Sequence, residues 1–250
     1  LIVQRQRHLT VVEEVEEQAQ YLPLPPTPLI GRAQEVRQLG NRMLGHSGRL
    51  LTLVGPPGVG KTRLAQALGL TLQTLYPDGA CFVPLAAISD PALLAPTLLT
   101  QLQVPGVSSK TAQTRLVEHL RHKEMLLILD NFEQIIPAAP LVAALLSECG
   151  GLRILVTSRE RLHLRAEQRY KVPPLDLAAA VELFVERLQQ VVDPDFVLSA
   201  EQQPTIATIC QRLDCLPLAI ELSVAQLELL SLPQLLQRLQ TDRLDQLGGG

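Results

Sequence analysis

The chain alternates between short, almost wholly apolar runs and longer stretches whose apolar positions recur at helical spacing. The short runs are "LLTLV" at 50–54, "ACFVPL" at 80–85, "MLLIL" at 125–129 and "RILVT" at 153–157. A strand reads this way when both of its faces are covered, as in a parallel sheet with helices above and below. "RYKV" at 169–172 is a shorter, more polar fifth candidate. Between the runs the spacing predicts helices over 33–44, 61–75, 90–102, 111–122 and 139–149. The fold class is therefore α/β: a three-layer domain with a parallel five-stranded sheet and helices on both faces. After "VPPLD" at 172–176 the strands stop, and 177–191, 201–213, 217–229 and 232–243 read as helices alone. A small all-α helical domain should follow the sheet.

The N-terminal segment belongs to neither pattern. Residues 1–20 read as the tail of a helix, with Val11, Val12 and Val15 set among glutamates. "LPLPPTP" at 22–28 must be extended, because each proline restrains both its own backbone and its predecessor's. The expected organisation is a helical tail and linker over 1–28, a sheet domain over 29–173, a helical domain over 174–247 and a glycine-rich end at 248–250. With Leu1 in place of Met at the start, the chain reads as a segment of something longer.

Composition narrows the function classes. Hydrophobic residues make up 46% and charged residues 19%, a globular balance, and aromatics are only 3%, so aliphatic packing must supply the core. A net charge of −3 provides no electrostatic footprint for nucleic acid or an anionic membrane, and no helix-turn-helix pattern is recognisable. Direct nucleic-acid contact is not expected from this segment. No apolar run approaches the roughly 18 residues of a membrane helix and no export signal opens the chain, which points to a cytoplasmic protein. Cys81, Cys149, Cys210 and Cys215 lack metal-ligand spacing and read as reduced thiols.

The strongest chemical signal is "GPPGVGKT" at 55–62, which fits the phosphate-loop pattern G-x-x-x-x-G-K-[ST] between an apolar strand and an amphipathic helix. The glycines let the loop Pro57-Gly58-Val59-Gly60 curl so that the N–H groups of Gly58, Val59 and Gly60 face an anion, and the helix dipole adds to that field. Lys61 brings a point charge to the β- and γ-phosphates, and the Thr62 hydroxyl has the right length to bind Mg²⁺. This makes the sheet domain a P-loop NTPase.

"MLLILD" delivers Asp130 to a strand end, where a carboxylate holds the other side of the Mg²⁺ shell. Many phosphate-cleaving machines place a second acid directly afterwards; here that position is Asn131, whose amide can position a water but cannot take its proton. Glu133, two positions further on, could substitute if the backbone turns back. "LVTSRERL" at 155–162 sets Thr157, Ser158 and Arg159 at the end of the next strand, the edge where α/β sheets bind ligands. Arg159 either reaches a γ-phosphate there or is a solvated arginine in a basic loop.

Taken in order, "LIGR" with Glu35, "GPPGVGKTRLA", "LLILDNFE", "LVTSRERL", "VPPL" and "DCLPLAIEL" resemble the NB-ARC-type nucleotide domains of STAND ATPases. More narrowly they are similar to those of bacterial signalling and transcription regulators, the LuxR-type large regulators and relatives with tetratricopeptide arrays. The resemblance runs from about Pro28 to Leu247. It implies a switch that ADP holds closed and ATP opens to self-associate, with sensor and effector domains outside this segment. It also implies that Ile30 and Arg32 lie beside adenine and ribose, that Arg63 borders the α-phosphate, that Arg159 is a sensor arginine and that Pro217 rests on the base. In two respects the chain departs from the family. Cys215 stands where the family has glycine, and the winged-helix domain whose histidine meets ADP lies beyond this chain.

The resulting expectation is an ATP/ADP-controlled switch with slow Mg²⁺-dependent hydrolysis, the alternative being a faster AAA+-like motor. A P-loop kinase lacks an evident lid with paired arginines.

Overall fold

A computed structural model of the protein describes residues 22–45, 48–106 and 109–248, with side chains to residue 241 at the C-terminal end. The tail expected over 1–20 and the last two glycines lie outside the described residues. Two compact units emerge. One comprises Gln34–Gly55 and Lys61–Lys171 with the segment leading to Pro28; the other comprises Leu29–Ala33, Pro56–Gly60 and the chain from Val172 onward.

The first unit is a parallel sheet of five strands: β1 Leu50–Val54, β2 Ala80–Pro84, β3 Leu126–Asp130, β4 Arg153–Ser158 and β5 Glu167–Lys171, in the order β2-β3-β4-β1-β5. Its helices are α1 Ala33–Leu44, α2 Lys61–Leu72, α3 Leu94–Gln101, α4 Ala112–Leu120 and α5 Ala139–Glu148. Strand side chains alternate between faces. Cys81, Val83, Leu127, Leu129, Ile154 and Val156 share one core with α3, α4 and α5. The intervening Phe82, Ile128 and Leu155 are equally buried on the other face, where α2 contacts β2, β3 and β4. The near-continuous apolar runs are thus explained by a sheet covered twice. β5, at one edge, is the exception and is half-exposed along its length, whereas β2 at the other edge is buried.

Several ends differ from the periodicity. Helix α2 tightens into a 3₁₀ turn at Gln73–Leu75, β3 extends through Asp130, and a 3₁₀ segment Phe132–Ala138 intervenes before α5. The linker is not a free connector. Leu22 is buried, and so close to Gly69 of α2 that a Cβ there would lie 3.0 Å from Leu22 Cδ2 and 2.6 Å from Ile128 Cδ1.

The second unit contains α6 Leu177–Val191, α7 Gln203–Arg212, α8 Pro217–Ala225 and α9 Leu232–Gly248. Asp176 caps α6 by accepting from Ala179 N at 2.8 Å, and proline opens α8 at a position where no N–H is needed. Ala180, Phe184, Ile206, Ile209, Ile220, Val224 and Leu235 form its dry centre, against which Ile30 packs. Gly31 takes a left-handed φ of 67°, and a Cβ there would sit 2.3 Å from that of Ala179, so only glycine fits.

Helix α7 ends in a Schellman-type turn: Asp214 N donates to Gln211 O at 3.0 Å and Cys215 N to Cys210 O at 2.9 Å. Both residues are left-handed, Asp214 at φ 52° and Cys215 at φ 51°. Cys215 therefore carries the strain that a glycine would avoid, on the order of 1 kcal/mol. Cys215→Gly is expected to raise stability by about that amount, measured as a higher urea midpoint. An unchanged or lower midpoint would mean that the half-buried thiol contributes more than the backbone strain costs.

Candidate nucleotide site

In the first unit the chemistry collects at the carboxyl ends of β1, β3 and β4. Because β4 lies between β1 and β3, its last residues stand between the phosphate loop's base and Asp130. Thr157 of β4 donates to Asp130 Oδ1 at 2.6 Å, and Thr62, at the start of α2, donates to the same oxygen at 2.8 Å. Thr157 Oγ1 in turn accepts from Asn131 N at 2.9 Å. This holds Asn131 in a left-handed conformation, φ 65° and ψ 43°, which turns the chain straight out of the strand into the 3₁₀ segment. Thr157 is a positioning residue that pattern reading placed at the strand end but assigned no task. Only the β4 insertion between β1 and β3 reveals it.

The turn at Asn131 brings Glu133 back over the strand ends. Its Oε1 accepts from Arg159 Nε at 3.2 Å. The Glu133 side chain is 9% exposed and its Oε2 is buried without a hydrogen-bond donor, while Arg159 is 58% exposed. Lys61 donates to Gly55 O at 2.9 Å. Burial pulls the Lys61 ammonium below its ordinary value; of the charges that oppose or add to this, Glu133 acts most strongly, then Arg159, then Asp130. Lys61, Thr62, Asp130, Asn131, Glu133 and Arg159 are thus gathered in one cluster.

Arg63 is engaged elsewhere within this unit. Its guanidinium donates to Thr27 Oγ1 at 3.0 Å, to the Thr27 carbonyl and to Pro28 O at 3.1 Å, fastening the linker to α2.

The remaining candidates lie in the second unit. Gly58 has φ 76° and Gly60 φ 96°, both left-handed as a loop of inward N–H groups requires. Leu218 N, near the start of α8, donates to Gly58 O at 3.2 Å, and a Cβ on Gly58 would lie 2.9 Å from Leu218 Cβ. The Pro217 ring is 3.9 Å from where a Gly60 Cβ would be. Arg32 is buried and donates to Pro173 O at 2.6 Å and Val59 O at 3.4 Å. "LIGR", the loop Pro56–Gly60, "VPPL" and the start of α8 are therefore one packed assembly.

The donors fit Mg²⁺. A hydroxyl and a carboxylate oxygen 2.8 Å apart are hard ligands, and Mg²⁺ typically takes one or two protein oxygens and completes its shell with water and phosphate. The thiols stand apart, since burial pushes those of Cys81 and Cys210 up to about 12.

Burial also raises the Asp130 carboxyl above its ordinary value, against the hydrogen bonds from Thr157 and Thr62. The folded chain then holds this proton more tightly than the unfolded chain. The group's contribution to stability is full below the ordinary carboxylate value and is lost as pH rises through the raised one. Asp130→Asn retains an acceptor for both hydroxyls without the charge. It is expected to leave the ligand-free protein at least as stable as the parent at neutral pH and to flatten the pH dependence of the urea midpoint above about pH 4. A clearly less stable variant at neutral pH would contradict this.

Residues 43–164 match a family model described as AAA domain. An uncharacterised protein of Mycobacterium tuberculosis is 37% identical over 207 residues, covering 82% of this chain and 52% of that protein. A second protein of the same organism, assigned by inference as an HTH-type transcriptional regulator, is 37% identical over 192 residues, covering 76% of this chain and 21% of that protein. The chain thus spans about half the length of the first relative and a fifth of the second. Among solved structures, a Signal Transduction ATPase with Numerous Domains (STAND) protein with a tetratricopeptide repeat sensor from Pyrococcus horikoshii aligns with a TM-score of 0.57 at 16% identity, covering 88% of this chain and 33% of that one. The ORC2 protein of Aeropyrum pernix, solved as ADPNP-ADP complexes, aligns with a TM-score of 0.58 at 15% identity, covering 87% and 69%. Fold and loop signature agree on a P-loop NTPase fold, and residues 43–164 are similar to the AAA domain family.

Proposed function

We propose that this chain is an ATP/ADP-binding switch module with slow Mg²⁺-dependent hydrolysis, serving a larger signalling or transcription-regulator protein. The observation that carries the reading is the shared Asp130 oxygen: Thr62 from the loop's helix and Thr157 from β4 both donate to it. That arrangement poises a hydroxyl and a carboxylate for a metal–phosphate group.

In this reading the N–H groups of Gly58, Val59 and Gly60 and the Lys61 ammonium bind the β- and γ-phosphates, and Thr62 and Asp130 hold Mg²⁺. Bound Mg²⁺ supplies charge neutralisation on those phosphates. The family resemblance assigns Ile30, Arg32 and Pro217 to the nucleoside and Arg63 to the α-phosphate. Adenine is preferred to guanine on the strength of the family resemblance.

Slow turnover follows from Asn131, which has no carboxylate and uses its backbone N–H to fix the strand end. The motor alternative draws on Glu133, whose carboxylate lies within electrostatic reach of Lys61. ATP-dependent self-association, a cytoplasmic location and partner domains beyond this segment belong to the same proposal. The relative assigned as an HTH-type regulator and the tetratricopeptide-sensor ATPase support it. Among the described residues no helix is long and apolar enough to cross a membrane.

ADP or ATP with Mg²⁺ is expected to raise the melting temperature of the parent, and Lys61→Ala to abolish that shift. Steady-state turnover is expected well below about 10 s⁻¹. Retention of the shift in Lys61→Ala would remove the site assignment, and turnover at ordinary enzyme rates would favour the motor.

A further inference from the structure

A hollow lies at the end of the sheet opposite the phosphate loop. Beside Leu50, where β1 begins, a cavity of about 390 Å³ opens between α5 and the loop leading into β5. β1 runs from there to Val54, so about 13 Å of strand separate the cavity from the start of the phosphate loop. Leu50 pairs in register with Glu167 of β5, which brings the two walls side by side. One wall is a single face of α5, Ala143, Leu146 and Ser147, at helical spacing. The other is formed by Leu164 to Ala166. The size falls within the range of small-molecule sites and far exceeds an ordinary packing void.

The charge at this hollow is one-sided. Arg49 and Arg165 line it, and no acid does. Arg49 is held in place: Nε donates to Leu152 O at 3.3 Å and Nη2 to Cys149 O, just past the end of α5. Among the described residues no acceptor meets its Nη1. Arg165 is exposed and has neither an ion pair nor a hydrogen bond among the described residues. The acids nearest in sequence are engaged elsewhere. Glu167 accepts from Leu162 N at 2.9 Å and His163 N at 3.1 Å, one with each oxygen, which also fixes the loop that carries Leu164 and Arg165. Glu148 accepts from Arg121 at 2.9 Å. Two cations at an apolar hollow thus lack a counter-charge, and a guanidinium is the side chain best shaped to hold a carboxylate.

We propose that this cavity is a ligand site for a small amphipathic carboxylate. The apolar body lies against Leu146 and Leu164, and the carboxylate is held by Arg165 and by Arg49 Nη1. Arg49 is the fixed donor, and Arg165, on the exposed side, closes on the anion. The Ser147 hydroxyl donates to Ala144 O at 2.8 Å, which leaves the guanidiniums as the donors to the ligand. The site is separate from the phosphate loop and does not rest on the nucleotide reading.

The probe is octanoate, titrated calorimetrically into the full chain, with 1-octanol as its neutral counterpart and acetate as its headgroup alone. Saturable binding of one octanoate is expected, with a dissociation constant on the order of 0.5 mM for a ligand of this size. Octanol should bind about tenfold more weakly, and acetate not at all. Arg165→Ala should weaken octanoate about tenfold and leave octanol unchanged. Ala143→Phe, at an exposed position on the cavity wall, should fill the hollow and abolish binding of both. Lys61→Ala, at the other end of the sheet, should bind octanoate as the parent does. Absence of octanoate binding by the parent, equal affinity for octanol, or parent-like affinity in Arg165→Ala or Ala143→Phe would each overturn the proposal. Loss of binding in Lys61→Ala would move the carboxylate to the phosphate loop and overturn it as well. Should Ala143→Phe not fold, Arg165→Ala decides, since its side chain is exposed. No nucleotide enters the measurement, so its failure leaves the nucleotide reading standing.

Discussion

The arrangement at the strand ends depends on a single buried oxygen. Asp130 Oδ1 accepts from Thr62 and from Thr157, so the beginning of α2, the end of β3 and the end of β4 meet on one atom. A carboxylate at 5% exposure is costly to keep ionised, and burial indeed pushes its pKa up. Two hydroxyl donors lower that cost without adding a positive charge. In the proposed reading this oxygen takes the cation.

The same hydroxyl explains the odd residue after the strand. Thr157 takes the N–H of Asn131, and Asn131 adopts a left-handed backbone that an L-residue avoids unless its surroundings impose it. Without that turn, Glu133 would be carried away from the strand ends. With it, the acid three residues downstream lies beside Arg159 and acts on Lys61. Asn131, which first looked like a missing acid, is the turn that sets where Glu133 lies.

The second unit shows how backbone permissiveness is distributed. Gly31 and Gly58 adopt left-handed φ and admit Ala179 and Leu218 at distances that leave no room for a side chain. Cys215 occupies a left-handed corner as well, but without glycine's freedom. The phosphate loop's middle residues belong to this unit because Arg32 and Leu218 bond to its carbonyls from outside the loop. A change in how α8 begins is therefore a change in the loop.

Most of the fold was legible from residue pattern. Strands buried on both faces are largely apolar, so the runs at 50–54 and 125–129 declared themselves. The phosphate loop was equally plain, because its glycines, lysine and threonine must be adjacent in sequence to act together. What adjacency does not encode had to come from the tertiary structure. Strand order puts Thr157 next to Asp130, although 27 residues separate them. Packing turned Arg63 toward the linker and grouped 29–33 and 56–60 with the helices. The left-handed turn at Asn131 gave Glu133 its place, because a backbone conformation that costs energy locally is chosen only when distant groups hold it.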